Sequence, residues 1–133
     1  MSQENVELVR AAYDAIARRD RAALDAILAG HVAPHFEFQA VLTGATYKGV
    51  DALRELLADI EDIVGYMPEV QEAVDLDDDV LVVLRMSGRG SQSGVSITQQ
   101  GAVLFSFVER QLVSGKSFAS RAEALEAVGL RER

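Results

Sequence analysis

His35 and Glu37 stand two residues apart in a stretch, His35-Phe36-Glu37-Phe38-Gln39, that alternates polar and apolar side chains. Successive side chains of an extended strand point to opposite faces, so the imidazole and the carboxylate share one face and the two phenylalanines the other. If the polar face looks into a pocket, Glu37 and His35 can serve as a general acid–base pair. If Phe36 and Phe38 look inward, both polar groups are simply solvated. A slip of one residue in strand register exchanges the two outcomes, and both stay open on the sequence alone.

Other polar residues narrow the chemistry. Tyr13 lies in a helical stripe and reads either as a core aromatic with its hydroxyl bonded nearby or as a donor that steadies an oxyanion. Gln99 shares a strand face with Val103 and Phe105, where a neutral amide suits hydrogen bonding to a ligand carbonyl and not proton transfer. Asp75, Asp77, Asp78 and Asp79 are oxygen ligands by type, but they lack the glycine and distal glutamate of a calcium loop and read as a hairpin turn. His31 and His35 form a His-x3-His pair that needs one helical face to hold a metal, and Pro34 between them argues against that helix. Gly88-Arg89-Gly90 is too short for a dinucleotide loop and lacks the strand–helix context. Arg85, in an apolar strand, is expected to pair with an acid or to extend outward. The absence of cysteine excludes disulfides, thiolate catalysis and cysteine-ligated metal centres. No metal and no cofactor is expected.

Any such chemistry has to be positioned by helices first and strands afterwards. A first helix is predicted over 3–18 from the stripe Val6, Val9, Tyr13 and Ile16. Asp20 is placed to cap a second over 21–28, with Leu24, Ile27 and Leu28 inward and Gly30 as a left-handed stop. Pro34 forces Ala33 into an extended conformation ahead of the strand 35–39. Gly44 marks a turn and Tyr47 a short extended piece. Gly49 leads into a third helix with Leu53, Leu56, Leu57 and Ile60 on one side, ending near Ile63 or Val64 with Gly65 as its stop. Four strands follow, at 70–76, 80–87, 95–108 and 112–118, joined by short polar turns as an antiparallel meander. Ser120 and Glu123 have capping-box spacing for a last helix bearing Leu125 and Val128, and Gly129 closes it. This is the pattern of an α+β domain.

Bulk properties agree with one domain over residues 1–133. Hydrophobic residues are 49% of the chain, enough for a core, and charged residues are 26%. The net charge of −8, with no offsetting basic cluster, disfavours nucleic acid and anionic membrane surfaces as partners. The N-terminus has neither a basic n-region nor an apolar h-region, and no apolar run approaches the ~20 residues that span a bilayer. A cytoplasmic location is the expectation.

Four stretches in this order carry a family resemblance. They are Val9-Arg10-Ala11-Ala12-Tyr13 with Arg19-Asp20, Tyr47-Lys48-Gly49-Val50-Asp51-Ala52-Leu53, Phe105-Ser106-Phe107, and Arg121-Ala122-Glu123-Ala124-Leu125. Together they resemble the SnoaL-like branch of the NTF2-like superfamily, which also holds ketosteroid isomerase and several polyketide cyclases. The resemblance covers nearly the whole chain. It implies a strongly curved, antiparallel or mixed sheet wrapped around about three N-terminal helices, with a short C-terminal helix and an apolar cone-shaped cavity. It also implies a homodimer through the outer sheet face. Independently, the strand at 95–108 is apolar on both faces, with Ile97, Val103, Phe105 and Phe107 on one and Ala102, Leu104 and Val108 on the other. A strand of that kind needs two covers, one of which a second subunit can supply.

The resemblance also implies a catalytic layout that this chain does not keep. The family's carboxylate base falls between Phe38 and Ala40, where there is no acid. Its oxyanion-hole acid falls at Val103, and its helix tyrosine one residue before Tyr13. An epoxide-hydrolase-like site would need an Asp–Arg–Asp cluster, yet no aspartate lies in the first strand or beyond Asp79. Three functions therefore stand. One is a domain that binds a small, mostly apolar ligand, possible contacts being Tyr13, Ile16, Phe38, Leu56, Gln99, Val103 and Phe105, without catalysis. Another is a polyketide-cyclase or isomerase-type enzyme using Glu37 or His35, with Tyr13 on an oxyanion. The last is a non-catalytic dimeric interaction module.

Overall fold

The stripe Val6, Val9, Tyr13 and Ile16 folds as α1 (Ser2–Ala17), with Val9 buried and Val6 and Tyr13 packed beside it. The computed structural model describes residues 2–40, 44–61, 67–89 and 96–129. Arg19, at φ +55°, turns the chain out of α1. Asp20 then caps α2 (Arg21–His31), its Oδ1 accepting from the Ala23 N–H at 3.1 Å. Arg18 donates to Asp14 at 2.9 Å and to Asp20 at 3.2 Å, and the Asp14 hydrogen bond is the main cause that pushes this exposed guanidinium further up.

Gly30 does not stop α2. Its φ is not left-handed, and the helix runs through it to His31 before passing at Val32 directly into β1 (Val32–Gln39). Val32 and Ala33 are both buried, so the helix meets its strand without a loop that would call for a left-handed residue. The Gly30 carbonyl instead accepts from Gln111 Nε2 at 3.2 Å. β1 accordingly begins three residues earlier than the alternation of 35–39 suggests, with Pro34 inside a break in pairing between Val32 and Glu37. A proline cannot donate to a ladder, and such breaks are where sheets tolerate it.

After β2 (Thr46–Lys48), Gly49 at φ +84° opens α3 (Gly49–Glu61), a conformation costly for any residue with a Cβ. Gly65, with Ile63 and Val64, lies outside the described residues. The meander is β3 (Met67–Leu76), β4 (Asp79–Arg89), β5 (Ser96–Val108) and β6 (Gln111–Phe118). The acidic run forms the β3–β4 turn, where the Asp77 N–H donates to Asp75 Oδ1 at 3.0 Å. α4 (Arg121–Ala127) starts at Ser120, whose Oγ accepts from the Glu123 N–H at 3.1 Å, and Gly129 follows it at φ +80°.

Among the described residues, four helices and six strands make an open, mixed sheet in the order β2-β1-β6-β5-β4-β3. β1 and β6 run parallel, and every other pair is antiparallel. α1 packs on β3 and β4, α3 on β1 and β2, and α2 on α1 and β1. Val80, Val82, Leu84, Val103 and Phe107 face these helices with Val9, while Leu28, Val32, Phe36 and Leu53 form a second cluster between α2, α3 and β1.

The alternate residues of β4 and β5 point the other way. Part of that second face is covered by the chain's own α4, which packs Ala124 and Leu125 on Leu81, Ala102 and Phe118. Leu104 is half-buried beyond it, and Val108 is 59% exposed.

Candidate functional site

The helices and the sheet do not fill the space between them. They leave a cavity of about 300 Å³ lined from α1, α2, α3, β1 and the whole meander. α1 supplies Ala12, Tyr13 and Ile16, and α2 supplies Leu24 and Leu28; α3 adds Leu53, Leu56 and Leu57. These are the inward stripes of amphipathic helices, so the spacing that buries the helices also builds the cavity walls. Across from them stand Phe38 on β1, Leu84 and Met86 on β4, and Gly101, Val103 and Phe105 on β5. The Tyr13 and Phe105 rings meet at a centroid distance of 6.3 Å, tilted by 58°, within the usual range for an aromatic pair.

Polar groups are few. Tyr13, Gln100 and Ser117 are the only lining residues with polar side chains, and no carboxylate, imidazole, ammonium or guanidinium lines the cavity among the described residues. This wall can desolvate an apolar body and offer it neutral hydrogen-bonding partners. It cannot compensate an ionised group taken out of water. No group of three or more His, Cys, Asp or Glu side chains is placed to hold a metal ion among the described residues.

Of the residues expected to touch a ligand, Tyr13, Ile16, Phe38, Leu56, Val103 and Phe105 all line the cavity. Gln99 pairs in register with Met86, but its side chain, like those of Ile60 and Ile97, lies outside the described ones. Gln100 lines the cavity although it is exposed, and it donates to Gln71 at 2.8 Å.

His35 and Glu37 go elsewhere. Phe36 is completely buried and Phe38 half-buried, so the apolar face of β1 is the inward one. Both polar residues are exposed and line a shallow depression with Pro34, Val108, Gln111 and Ser114. Glu37 is 3.9 Å from Lys48 Nζ, an exposed pairing of little energetic weight. The acid–base arrangement needed the opposite face of this strand. The His31–His35 pair is likewise divided, one at the end of α2 and the other in β1. Arg85 is exposed, in register with Glu69 on β3.

Several further lining residues carry a signal in the sequence. Leu84 and Met86 follow from the parity of Val80 and Val82 along β4. Gly101, a glycine inside an apolar strand, is a recognised mark of close approach by another group. Ser117 and Phe118 near the end of β6 had no local signal, because their place depends on pairing with Val103 and Ala102.

The chain is similar to solved structures over most of its length. A protein of ketosteroid isomerase-like fold from Catenulispora acidiphila, crystallised with trimethylamine, is 18% identical, with 93% of each chain covered and a TM-score of 0.72. A candidate SnoaL-like polyketide cyclase from Jannaschia sp. CCS1 is 17% identical over 98% of this chain and 94% of that one, with a TM-score of 0.76. TerC, co-crystallised with polyporic acid, is 19% identical over 94% of this chain and 98% of its own, with a TM-score of 0.71. At these identities the likeness is one of fold. No curated protein sequence is a significant match. The family model described as SnoaL-like domain matches residues 9–115, a span that runs from the middle of α1 through most of β6, and the protein belongs to that family.

Proposed function

We propose that the protein binds a small, neutral, mostly apolar molecule in the cavity between α1–α3 and the sheet, without catalysing a reaction on it. The observation that carries this reading is the wall itself, about 300 Å³ lined by apolar side chains and, among the described residues, by no ionisable acid or base beyond a phenol. Ligand pockets generally combine such walls with a few neutral polar groups that orient the guest. Tyr13, Ile16, Phe38, Leu56, Gln99, Val103 and Phe105 are the proposed contacts. Two fold neighbours crystallised with trimethylamine and with polyporic acid support small-molecule occupancy of this architecture. A cyclase or isomerase acting through Glu37 or His35 is disfavoured, because both groups are exposed on the far side of β1.

The test is a thermal-shift panel of steroids, aromatic polyketides and hydrophobic acids. A ligand present at 100 times its dissociation constant adds about 2.7 kcal/mol of stability, a readily measured shift. Neutral members of the panel are expected to raise the melting temperature more than ionised ones of equal size. A panel with no shift anywhere overturns the reading. We also propose a homodimer through the part of the outer sheet face that α4 leaves uncovered, around Leu104 and Val108, and a cytoplasmic location. No helix among the described residues is long and apolar enough to cross a membrane.

A further inference from the structure

Two glycines sit in the interiors of neighbouring strands, Gly101 in β5 and Gly115 in β6, and both are buried. Glycine weakens a strand, so each position calls for a reason. For Gly115 the reason is packing. It pairs with Phe38 on one side and Phe105 on the other, and a Cβ there would lie 2.7 Å from Phe38 Cδ2 and 3.3 Å from Phe105 Cδ1. The rings lean over the bare backbone, and nothing larger than hydrogen fits beneath them.

At Gly101 the approach is by a flexible side chain and not by two rings. Its φ is outside the left-handed region, so the backbone does not require glycine. A Cβ would meet the terminal Met86 Cε at 3.2 Å and the Phe118 carbonyl oxygen at 3.5 Å, one a flexible methyl and the other an ordinary contact. Gly101 nevertheless lines the cavity, in register with Leu84 and on the same strand face as Val103 and Phe105. The Met86 methyl, itself part of the wall, rests against this bare backbone, so a side chain at 101 would have to push Met86 toward the cavity.

We propose that Gly101 sets the size of ligand the cavity admits by letting Met86 lie back against the strand, since any side chain at 101 would drive Met86 into the space of the guest. This rests on the binding reading above and adds a specificity-determining position to it.

Phenol, 2-naphthol and 9-phenanthrol share one hydroxyl and grow by one ring at a time, and all are neutral near pH 7. Their dissociation constants are measured with wild type, Gly101→Ala and Gly101→Val. In Gly101→Val the three-ring probe is expected to weaken roughly tenfold or more relative to phenol, with Gly101→Ala in between. Ligand-free Gly101→Ala is expected to melt at or above the wild-type temperature, since alanine restricts the unfolded chain and fits the strand. Gly115→Ala is expected to melt lower. Equal weakening of all three probes, unchanged affinities, or a Gly101→Ala melting drop like that of Gly115→Ala overturns the assignment. A wild type that binds none of the three removes the binding reading itself, and this role of Gly101 with it. That outcome is distinct because it appears in the unsubstituted protein.

Discussion

Phe36 and Glu37 are adjacent in the chain and lie on opposite sides of the sheet, the ring fully buried and the carboxylate exposed. Truncating Phe36 removes a core side chain packed with Leu28, Val32 and Leu53. Phe36→Ala is expected to cost about 3–5 kcal/mol in denaturant unfolding. Glu37→Gln and His35→Ala should each stay within about 0.5 kcal/mol of wild type and leave ligand affinity unchanged. A loss of cavity binding in Glu37→Gln would return the carboxylate to the site. The alternation itself was plain from residue types. Which member of each pair turned inward was not, because a period of two is unchanged when the faces are exchanged.

Helix boundaries were legible where a side chain caps the backbone within three residues. Asp20 and Ser120 both accept from the N–H three positions on, as their types and spacing indicated. Asp20→Ala and Ser120→Ala are each expected to lower stability by about 1 kcal/mol in urea titrations. Because α4 seats Ala124 and Leu125 on Leu81, Ala102 and Phe118, losing its cap should also increase hydrogen exchange along β5. A Ser120→Ala variant as stable as wild type would show that packing alone holds α4. The stop assigned to Gly30 failed for a different reason. A glycine ends a helix only where the chain must turn, and here α2 delivers it directly to buried Val32.

The cavity draws on residues from Ala12 to Ala119, brought together by a sheet whose first strand pairs in parallel with its last. The same sheet leaves Leu104 half-buried and Val108 exposed on the face that α4 only partly covers. A second copy meeting that patch would sediment with twice the mass of the 14.4 kDa chain. A single-chain mass at micromolar concentration would remove the dimer. Adding charge at Leu104→Glu should shift a dimer to monomer, since a buried unpaired carboxylate disfavours the interface.

Order and type of the elements, the stripes of α1 and α3, the two caps and the paucity of acids near the expected base position could all be read from residue types and spacing. Those are properties of segments a few residues long, governed by local backbone geometry and side-chain periodicity. The inward turn of Phe36 and Phe38, the solvent position of His35 and Glu37, the cover provided by α4 and the packing of Met86 against Gly101 were decided only in three dimensions. Each depends on which strand lies beside which and in what register. That is set by burying apolar surface across distant parts of the chain, and no local pattern encodes it.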